Sequence, residues 1–283
     1  MRFSRVYVEI TNVCNLRCGF CPGTERGPRF LSPGEFSLIL KRLRGWTEYL
    51  YFHLMGEPLV HPLLAELLSI ADREKFYVNL TTNGTLLSQA ADSQQHNAAD
   101  VLLQAATLHR VNLSLQAWEG NGCSWDVNNY VNSCADFAER AAARGVLVSF
   151  RLWNGESTGN PALLGALKRR FPPPWRPGQK NVQLSERVFL EQAERFDWPD
   201  ADGPERSGSF CRGLRDHIGV LCDGTVVPCC LDSEGTLALG NLLEQPLEDI
   251  LETPRAKAIY EGFSRRVPTE DLCRRCGYAE RFG

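Results

Sequence analysis

Short strand-like segments alternate with longer helix-like segments along the first 200 residues of the chain. The apolar, β-type runs predict six strands, and the stretches between them are compatible with helices. The predicted strands are residues 5–10, 49–55, 76–81, 110–116, 147–152 and 182–190. The first predicted helix begins at Ser32. The other predicted helices cover residues 63–73, 99–108, 125–144 and 161–170. Repeated strand–helix units predict a parallel sheet with right-handed connections.

Six strand–helix units are too few to close an eight-stranded barrel. The pattern therefore predicts an α/β fold, either an open partial barrel or a doubly wound sheet, and we expect the partial (β/α)6 TIM-like barrel. In folds of this class, ligands bind at the carboxyl ends of the strands. Residues that close each predicted strand are accordingly the first candidates for a functional site.

The remaining third of the chain has a different pattern. A Pro-rich segment, residues 171–178, predicts a stiff loop, and residues 196–209 are polar and predict a linker. Residues 218–222 and 225–229 flank Asp223-Gly224, which predicts a hairpin with a two-residue type I′ turn. Residues 245–263 predict a helical stretch that is interrupted near Pro254.

Composition narrows the class of protein. The chain has 283 residues, of which 43% are hydrophobic and 23% charged, so a disordered, collagenous or coiled-coil protein is excluded. The net charge of −3 gives no basic excess for coating nucleic acid. No signal-peptide core and no membrane-spanning apolar run is present. We therefore expect a cytoplasmic protein without a membrane or nucleic-acid partner.

The unusual feature of the composition is the presence of eleven cysteines. An odd number without an export signal argues against a disulfide framework and favours metal binding or redox chemistry. Nine of the cysteines fall in two groups near the ends of the chain, Cys14, Cys18 and Cys21 in the first and Cys211, Cys222, Cys229, Cys230, Cys273 and Cys276 in the second. Cys123 and Cys134 lie apart from both groups and predict incidental or buried thiols.

The first group, Cys14, Cys18 and Cys21, directly follows the first predicted strand. A zinc site needs four ligands, and no fourth Cys or His lies nearby. An iron–sulfur cube held by three thiolates leaves one iron open for another ligand. The spacing C-x3-C-x2-C, with the aromatic Phe20 before the last cysteine, resembles the signature of radical S-adenosylmethionine (SAM) enzymes. Zinc remains the alternative for this group.

The resemblance implies a defined chemistry. The open iron of a [4Fe-4S] cluster chelates SAM, and one electron from the reduced cluster cleaves a C–S bond of the sulfonium. The product is a 5′-deoxyadenosyl radical that abstracts a hydrogen atom from the substrate. The cofactors supply this chemistry, while the protein positions them and excludes water. A flavodoxin or ferredoxin-type protein is implied as the electron donor.

The resemblance also implies cofactor contacts at the other strand ends. Met55–Pro58 resembles the family's Gly-Gly-Glu-Pro segment, in which the backbone holds the methionine ammonium. The residues implied as SAM contacts are Phe20, Gly56, Glu57, Pro58, Asn83, Ser114 and Arg151. Arg151 suits a carboxylate because its guanidinium is forked. The simpler alternatives are turn formation for Gly56, Pro58 and Asn83, an ion pair for Arg151 and core packing for Phe20.

The second group resembles the shortened SPASM domain called Twitch, which holds one auxiliary [4Fe-4S] cluster. The implied ligands are Cys211, Cys229, Cys273 and Cys276. The full SPASM pattern needs further cysteines after the final C-x2-C, and residues 277–283 contain none, so we expect one auxiliary cluster. The implied domains are a partial barrel over residues 1–200 and a small cysteine-rich α+β cap over residues 201–283. A structural zinc site of four thiolates is the alternative.

Two cysteines of the second group are predicted not to be ligands. In the predicted hairpin, Cys222 pairs with Thr225 and Ile218 with Cys229, so Cys222 and Cys229 lie on one face, roughly 13 Å apart. That is too far for one cube. Cys230 points to the opposite face if the strand is regular. A bulge at Pro228 would reverse the choice.

These features predict a radical SAM oxidoreductase in which an auxiliary cluster assists the oxidation of a small molecule, as in dehydrogenases of this family. Because no peptide-recognition domain precedes the first strand, a small molecule or a peptide delivered by a partner is expected. The catalytic acid or base is unknown, with His53 as a weak candidate. Peptide modification is the first alternative. A zinc-stabilised binding protein and a redox-sensing cluster protein are the alternatives from other classes.

Overall fold

The computed structural model describes residues 3–87, 98–153, 160–206 and 210–282. Its strands are β1 (Arg5–Val8), β2 (Tyr49–Phe52), β3 (Tyr77–Thr82), β4 (Leu108–Ser114), β5 (Leu147–Leu152), β6 (Arg176–Pro177), β7 (Val182–Ser185), β8 (Val188–Gln192), β9 (His217–Val220), β10 (Thr225–Val227) and β11 (Gly240–Asn241). Its helices are α1 (Pro33–Leu43), α2 (Leu64–Arg73), α3 (Ala98–Gln104), α4 (Ala117–Gly120), α5 (Val127–Ala143), α6 (Pro161–Arg170), α7 (Leu247–Leu251), α8 (Pro254–Ser264) and α9 (Asp271–Arg274). Short 3-10 turns cover Pro58–Val60 and Gly277–Phe282.

The chain divides into two compact units. The first unit contains residues 1–13, 22–56 and 196–283, and the second contains residues 14–21 and 57–195. The domain boundary after residue 200, which follows from the family resemblance, stays a prediction.

In the second unit, β3, β4, β5 and β8 pair in parallel, and β7 and β6 continue the sheet with antiparallel pairing. Side chains alternate between the two faces of these strands. Val111 and Val148 on one face are fully buried aliphatic residues. Asn112 and Ser149, which are cross-strand neighbours on the other face, are equally buried but polar. One face therefore supplies core packing, and the other supplies polar groups.

In the first unit, β1 lies between β2 and β9 and is parallel to both. β10 is antiparallel to β9, and β11 is antiparallel to β10. Helix α1 packs its apolar face inward, with the rings of Phe36 and Phe52 5.7 Å apart. The predicted α/β class with parallel strands is thus confirmed.

The local helix signals are largely confirmed. Ser32 caps α1 in a full capping box with Glu35, and Pro33 occupies the first turn. The predicted helix over residues 161–170 is α6, and the predicted interruption near Pro254 separates α7 from α8. The predicted linker has no helix or strand in residues 196–206, and its residues 207–209 lie outside the described residues.

The predicted sixth strand, residues 182–190, is wrong as a single strand. The segment forms two antiparallel strands, β7 and β8, and only β8 pairs in parallel with β5. The reversal occurs at Glu186-Arg187, where Arg187 has a φ of 59°. The two central residues of this turn are neither Gly, Pro, Asn nor Asp, so the sequence carried no strong turn signal.

The predicted hairpin exists, but its register is wrong by one residue. Val220 lies opposite Val226, and Gly219 lies opposite Val227. The loop has three residues, with the Leu221 N–H donating to the Thr225 carbonyl at 2.8 Å and Gly224 in the left-handed region at φ +86°. A three-residue loop with a left-handed glycine replaces the type I′ turn. Cys222 therefore lies in the loop and not in a strand.

No helix in the described parts of the chain combines the length and the apolar character that crossing a bilayer requires.

A buried carboxylate joins three segments of the first unit. Glu9, just after β1, is 1% exposed. Its carboxylate accepts hydrogen bonds from the Arg26 guanidinium at 2.7 Å and from the backbone N–H groups of Met55 and Cys222 at 3.2 Å. Removing one partner of such a pair leaves a buried charge without compensation.

We predict that Glu9→Ala lowers the free energy of unfolding by about 3 kcal/mol, because it strands the Arg26 charge and two N–H groups. Anaerobic urea denaturation followed by circular dichroism measures the change. The control is Glu261→Ala, which breaks an exposed pair with Arg265 and is expected to cost less than about 1 kcal/mol. Equal losses in the two variants would contradict the assignment.

Candidate active site and auxiliary metal centre

The first cysteine group lies on residues 14–21, a loop without helix or strand. The chain on either side of the loop is paired. The Leu31 N–H donates to the Ile10 carbonyl at 2.9 Å, and Thr11 forms a β-bridge with Phe30. These contacts hold together the two ends of the segment that carries the three thiols.

The three thiols are close enough to influence one another. Burial raises the pKa of Cys14, and the charges of Glu57, Cys18 and Cys21 raise it further. Two N–H groups point at the sulfurs, that of Leu16 at 3.4 Å from Cys14 Sγ and the Asn121 amide at 3.2 Å from Cys18 Sγ. Sulfur atoms that share a loop and receive N–H donors fit a cluster of thiolates, since metal binding deprotonates a thiol.

The loop rests on the segment that follows β4. The Gly19 N–H donates to the Gly120 carbonyl at 2.7 Å. A Cβ at Gly120 would lie 2.5 Å from the Phe20 ring, so only glycine permits this approach. Phe20 therefore packs against α4, and its implied contact with the cofactor stays a prediction.

Gly56 makes a close backbone approach in the first unit. Its φ is +74°, and a Cβ would lie 2.8 Å from the Val13 carbonyl oxygen and closer still to that of Thr11. Both its conformation and its surroundings thus require glycine. The implied use of its backbone near the cofactor stays a prediction.

Glu57 is a buried carboxylate that connects two segments of the second unit. Its carboxylate accepts hydrogen bonds from the N–H groups of Leu59 at 3.0 Å and Asn83 at 2.7 Å. Burial raises the pKa of Glu57 to about 7, against the lowering effect of the hydrogen bonds from Asn83, Leu59 and Thr82. The side chain holds Pro58–Val60 and the end of β3 together within the protein, and its implied contact with SAM stays a prediction.

Asn83 contacts the cysteine loop directly. Its Nδ2 donates to Asn15 Oδ1 at 2.9 Å, and Asn15 lies between Cys14 and Cys18. The Tyr130 hydroxyl donates to the Asn83 carbonyl at 2.5 Å. Asn83 therefore does more than form the turn, and its contact with SAM stays a prediction.

Ser114 and Arg151 are cross-strand neighbours at the ends of β4 and β5. The Arg151 Nε lies 3.2 Å from a carboxylate oxygen of Glu191, and its guanidinium stacks 4.5 Å from the Trp153 ring centre. Arg110 also pairs with Glu191, at 3.3 Å. The ion pair that we considered as an alternative is present, and the implied contact of Arg151 with the cofactor carboxylate stays a prediction.

His53 lies beside the Tyr7 ring, with centroids 5.8 Å apart. Tyr7 also contacts Tyr51 at 5.3 Å and His217 at 5.5 Å. Burial lowers the pKa of His217 to about 4. An acid–base role for His53 stays a prediction.

A pocket in the first unit is lined by part of the second cysteine group. Its lining includes all four of the implied ligands, Cys211, Cys229, Cys273 and Cys276. The remaining lining is almost entirely apolar, with Phe210, Leu237, Phe263 and Leu272 among its residues. Across the described parts of the chain, no three His, Cys, Asp or Glu side chains are grouped as ligands of a single metal ion.

The four thiols of the pocket come from three places in the chain. Cys229 follows β10, Cys273 lies on α9, and Cys276 follows that helix. Cys211 accepts a hydrogen bond from the Gly213 N–H at 3.3 Å. Burial raises the pKa of Cys211 to about 11, and neighbouring thiols raise the pKa values of Cys229 and Cys273 further. An almost wholly apolar pocket lined by four thiols fits a cluster held entirely by cysteine.

Cys222 and Cys230 are outside the pocket lining. Cys222 is buried beside Glu9, with its Sγ 3.7 Å from the Arg26 guanidinium. Cys230 packs against the apolar cluster that contains Tyr7. The expected position of Cys222 in a strand opposite Thr225 is wrong, but its position in the loop also keeps it outside the pocket.

The sequence model of the Radical SAM superfamily matches residues 8–151, about half of the chain. The chain belongs to this superfamily. A second model, SPASM, described as an iron–sulfur cluster-binding domain, matches residues 211–277. The cofactors of this radical SAM protein are therefore SAM, a [4Fe-4S] cluster and auxiliary iron–sulfur. These matches favour iron–sulfur over zinc in both cysteine groups.

This radical SAM protein is similar to curated relatives and to solved structures. It is 34% identical over 92 residues to the tungsten-containing aldehyde ferredoxin oxidoreductase cofactor-modifying protein of Pyrococcus furiosus, which covers 29% of this chain and 24% of the relative. The matched segment thus spans about a quarter of that protein. BtrN in complex with AdoMet and 2-DOIA is 17% identical with a TM-score of 0.53, covering 98% of this chain and 94% of BtrN. Streptococcus suis SuiB bound to precursor peptide SuiA is 14% identical with a TM-score of 0.64, covering 99% of this chain and 70% of SuiB. At these identities the two structures share the fold with this chain.

Sequence reasoning missed Asn121 and Tyr7. Asn121 lies 103 residues from Cys18, whose sulfur its amide contacts. A signal existed in the segment Gly120-Asn121-Gly122, a glycine-flanked amide shortly after a strand end. Tyr7 carried no signal, because an aromatic residue in a strand is most often core.

We predict that Cys229→Ala lowers the iron content from about eight to about four atoms per chain, because one four-iron cluster loses a ligand. Iron and sulfide analysis after anaerobic reconstitution measures it. Cys222→Ala, which removes a buried thiol outside the pocket, is the matched control and is expected to keep about eight. The reverse pattern would transfer the ligand role to Cys222.

We also predict that Gly56→Ala weakens SAM binding by about tenfold or more, because the new Cβ forces the backbone away from Thr11 and Val13. Equilibrium binding to anaerobically reconstituted protein measures the loss. Gly45→Ala is the control, since Gly45 has a φ of +81° and nothing within 4 Å of the added Cβ. An equal loss in both variants would trace the effect to backbone strain alone.

Proposed function

We propose that the chain is a radical SAM oxidoreductase that removes two hydrogens from a small organic molecule, in the manner of a dehydrogenase. The observation that carries this proposal is the pocket lined by Cys211, Cys229, Cys273 and Cys276. A cube with a cysteine on every iron has no open position for substrate. Such a cube can still transfer electrons, which is what an oxidation needs.

The chemistry that the bound groups supply is hydrogen-atom abstraction by the radical derived from SAM and uptake of a second electron by the auxiliary cluster. For a secondary alcohol, the overall reaction is R2CHOH + SAM → R2C=O + methionine + 5′-deoxyadenosine + H⁺. Atoms and charge balance, and the electron spent on cleaving SAM is recovered from the substrate. A flavodoxin or ferredoxin-type protein is proposed to deliver the first electron.

We assign the chain's own groups to binding and positioning. Cys14, Cys18 and Cys21 are proposed to hold the first cluster. Gly56, Glu57, Pro58, Asn83, Ser114, Arg151 and Phe20 are proposed to surround SAM. Residues 1–200 are proposed to form the domain that holds the first cluster and SAM. Residues 201–283 are proposed to form the domain that holds a single auxiliary cluster. The apolar lining of the second pocket is suited to keeping water from its cluster.

Peptide modification is the second candidate function. It is favoured by the similarity to SuiB, whose structure holds the precursor peptide SuiA. The similarity to BtrN, which extends over 94% of that chain, favours the small molecule. The two candidates share the radical step and differ in the molecule that enters the site.

We predict that the reduced, reconstituted enzyme releases 5′-deoxyadenosine and transfers deuterium to it from a substrate labelled at the oxidised carbon. Mass spectrometry of 5′-deoxyadenosine, with panels of deuterated polyols, amino sugars and short peptides, measures the transfer and sorts the two candidates. Cys14→Ala is the negative control, because it lacks one ligand of the first cluster.

Two outcomes count against the proposal. Failure of the reduced protein to cleave SAM at all would favour a redox-sensing role for the clusters. Transfer of deuterium without a two-hydrogen loss in the product would support radical chemistry but contradict oxidation.

A further inference from the structure

We propose that Asn121 tunes the first cluster, by donating a side-chain amide hydrogen bond to the Cys18 thiolate that raises the reduction potential of that cluster. Asn121 is outside the three-cysteine motif and outside the residues that the family resemblance implies. The inference rests on the presence of the first cluster and holds for either substrate class. It is therefore independent of the proposed oxidation.

The amide of Asn121 reaches the sulfur at hydrogen-bond distance. Its Nδ2 lies 3.2 Å from Cys18 Sγ and 2.7 Å from the Ala117 carbonyl oxygen. A primary amide has two N–H donors, so each acceptor receives one.

The orientation of this amide is fixed by its surroundings. The Asn121 Oδ1 accepts a hydrogen bond from the Arg17 N–H at 3.3 Å. A flipped amide would turn its oxygen toward the Ala117 carbonyl and its NH2 group toward the Arg17 N–H, losing all three hydrogen bonds. The N–H group therefore faces Cys18. The three hydrogen bonds distinguish the amide nitrogen from the amide oxygen, although the two atoms are similar in size.

The backbone next to Asn121 is held against the cysteine loop. The Gly19 N–H bonds the Gly120 carbonyl at 2.7 Å, and a Cβ at Gly120 would lie 3.0 Å from the Cys18 Cβ. Asn121 follows α4, which comes shortly after β4 of the parallel sheet. An amide on this rigid support does not have to be ordered when a cluster binds.

An N–H donor at a cluster thiolate has a definite electrostatic effect. The reduced cluster carries one more negative charge than the oxidised cluster, so the hydrogen bond is stronger in the reduced state. Hydrogen bonds to the sulfurs are among the factors that set the potentials of iron–sulfur clusters. Loss of this bond therefore makes the first cluster harder to reduce.

A second asparagine in the loop provides the matched comparison. Asn15 lies between Cys14 and Cys18, but its Nδ2 donates to Thr85 Oγ1 at 3.0 Å and its Oδ1 accepts from Asn83. Both partners of Asn15 are oxygen or nitrogen atoms of other side chains. The two residues thus share a chemical type and a neighbourhood, and they differ in contact with sulfur.

The test is a potentiometric titration of the reconstituted protein, monitored by electron paramagnetic resonance, for the natural chain, Asn121→Leu, Asn121→Asp and Asn15→Leu. The signal that changes when SAM is added identifies the first cluster. We expect both Asn121 variants to lower its reduction equilibrium constant by about three- to tenfold, or roughly 30 to 60 mV at 59 mV per tenfold for one electron. Asn15→Leu removes a support of the loop that does not involve sulfur, and it is expected to leave the constant within about twofold.

An unchanged midpoint potential in Asn121→Leu and Asn121→Asp, with full iron content, would overturn the proposal. So would an equal shift in Asn15→Leu, which would mean that any change in the loop has this effect. If the Asn121 variants do not retain iron, a spectroscopic measurement on the natural protein replaces the titration. Asparagine labelled with ¹⁵N at the side-chain amide is expected to give a ¹⁵N coupling to the first cluster in pulsed resonance spectra, and its absence would overturn the proposal.

Discussion

Three thiols must be held in place on a stretch of chain that has no regular secondary structure. A loop of eight residues cannot fix the positions of Cys14, Cys18 and Cys21 by its own backbone hydrogen bonds, so neighbouring segments must do so. In the second unit, Asn83 holds the loop through Asn15, and the segment after β4 holds it through Gly19. The parallel strands matter to the site chiefly because their ends deliver these supports to one place.

Buried carboxylates provide a second layer of support, and each unit uses one. Glu9 in the first unit and Glu57 in the second follow strands, are almost wholly buried, and accept backbone N–H groups from segments distant in sequence. Their difference is the counter-charge. Arg26 pairs with Glu9, whereas Glu57 has backbone and hydroxyl donors, and its pKa is accordingly raised to about 7 by burial. Within the described parts of the chain, Glu57 is therefore held by neutral donors alone, without the counter-charge that Glu9 has.

Features determined by local sequence were predictable, and features determined by distant contacts were not. The cysteine motif, the Ser32 cap and the break at Pro254 all depend on a few consecutive residues. The chain reverses between β7 and β8 at Arg187, which adopts a left-handed conformation although it is not a Gly, Asn or Asp. The hairpin register depended on whether Asp223-Gly224 forms a two- or a three-residue loop, and both are compatible with that dipeptide. The contact of Asn121 with Cys18 needs the packing of α4 on the loop, which no local pattern encodes.

Burial of the four thiols in the second pocket couples the auxiliary cluster to the folding of the chain around it. Apolar surroundings raise the pKa of Cys211 to about 11 and those of Cys229, Cys273 and Cys276 above the usual thiol value, so without metal these groups are neutral near pH 7. A cluster binds thiolates, and its assembly must therefore release protons from this pocket. The same apolar residues that make the free thiols reluctant to ionise become favourable once iron neutralises the charge, since they keep water from the metal. Burial thus opposes ionisation of the thiols when no metal is bound, and it protects the cluster from water when metal is bound. The metal is therefore part of what stabilises this region.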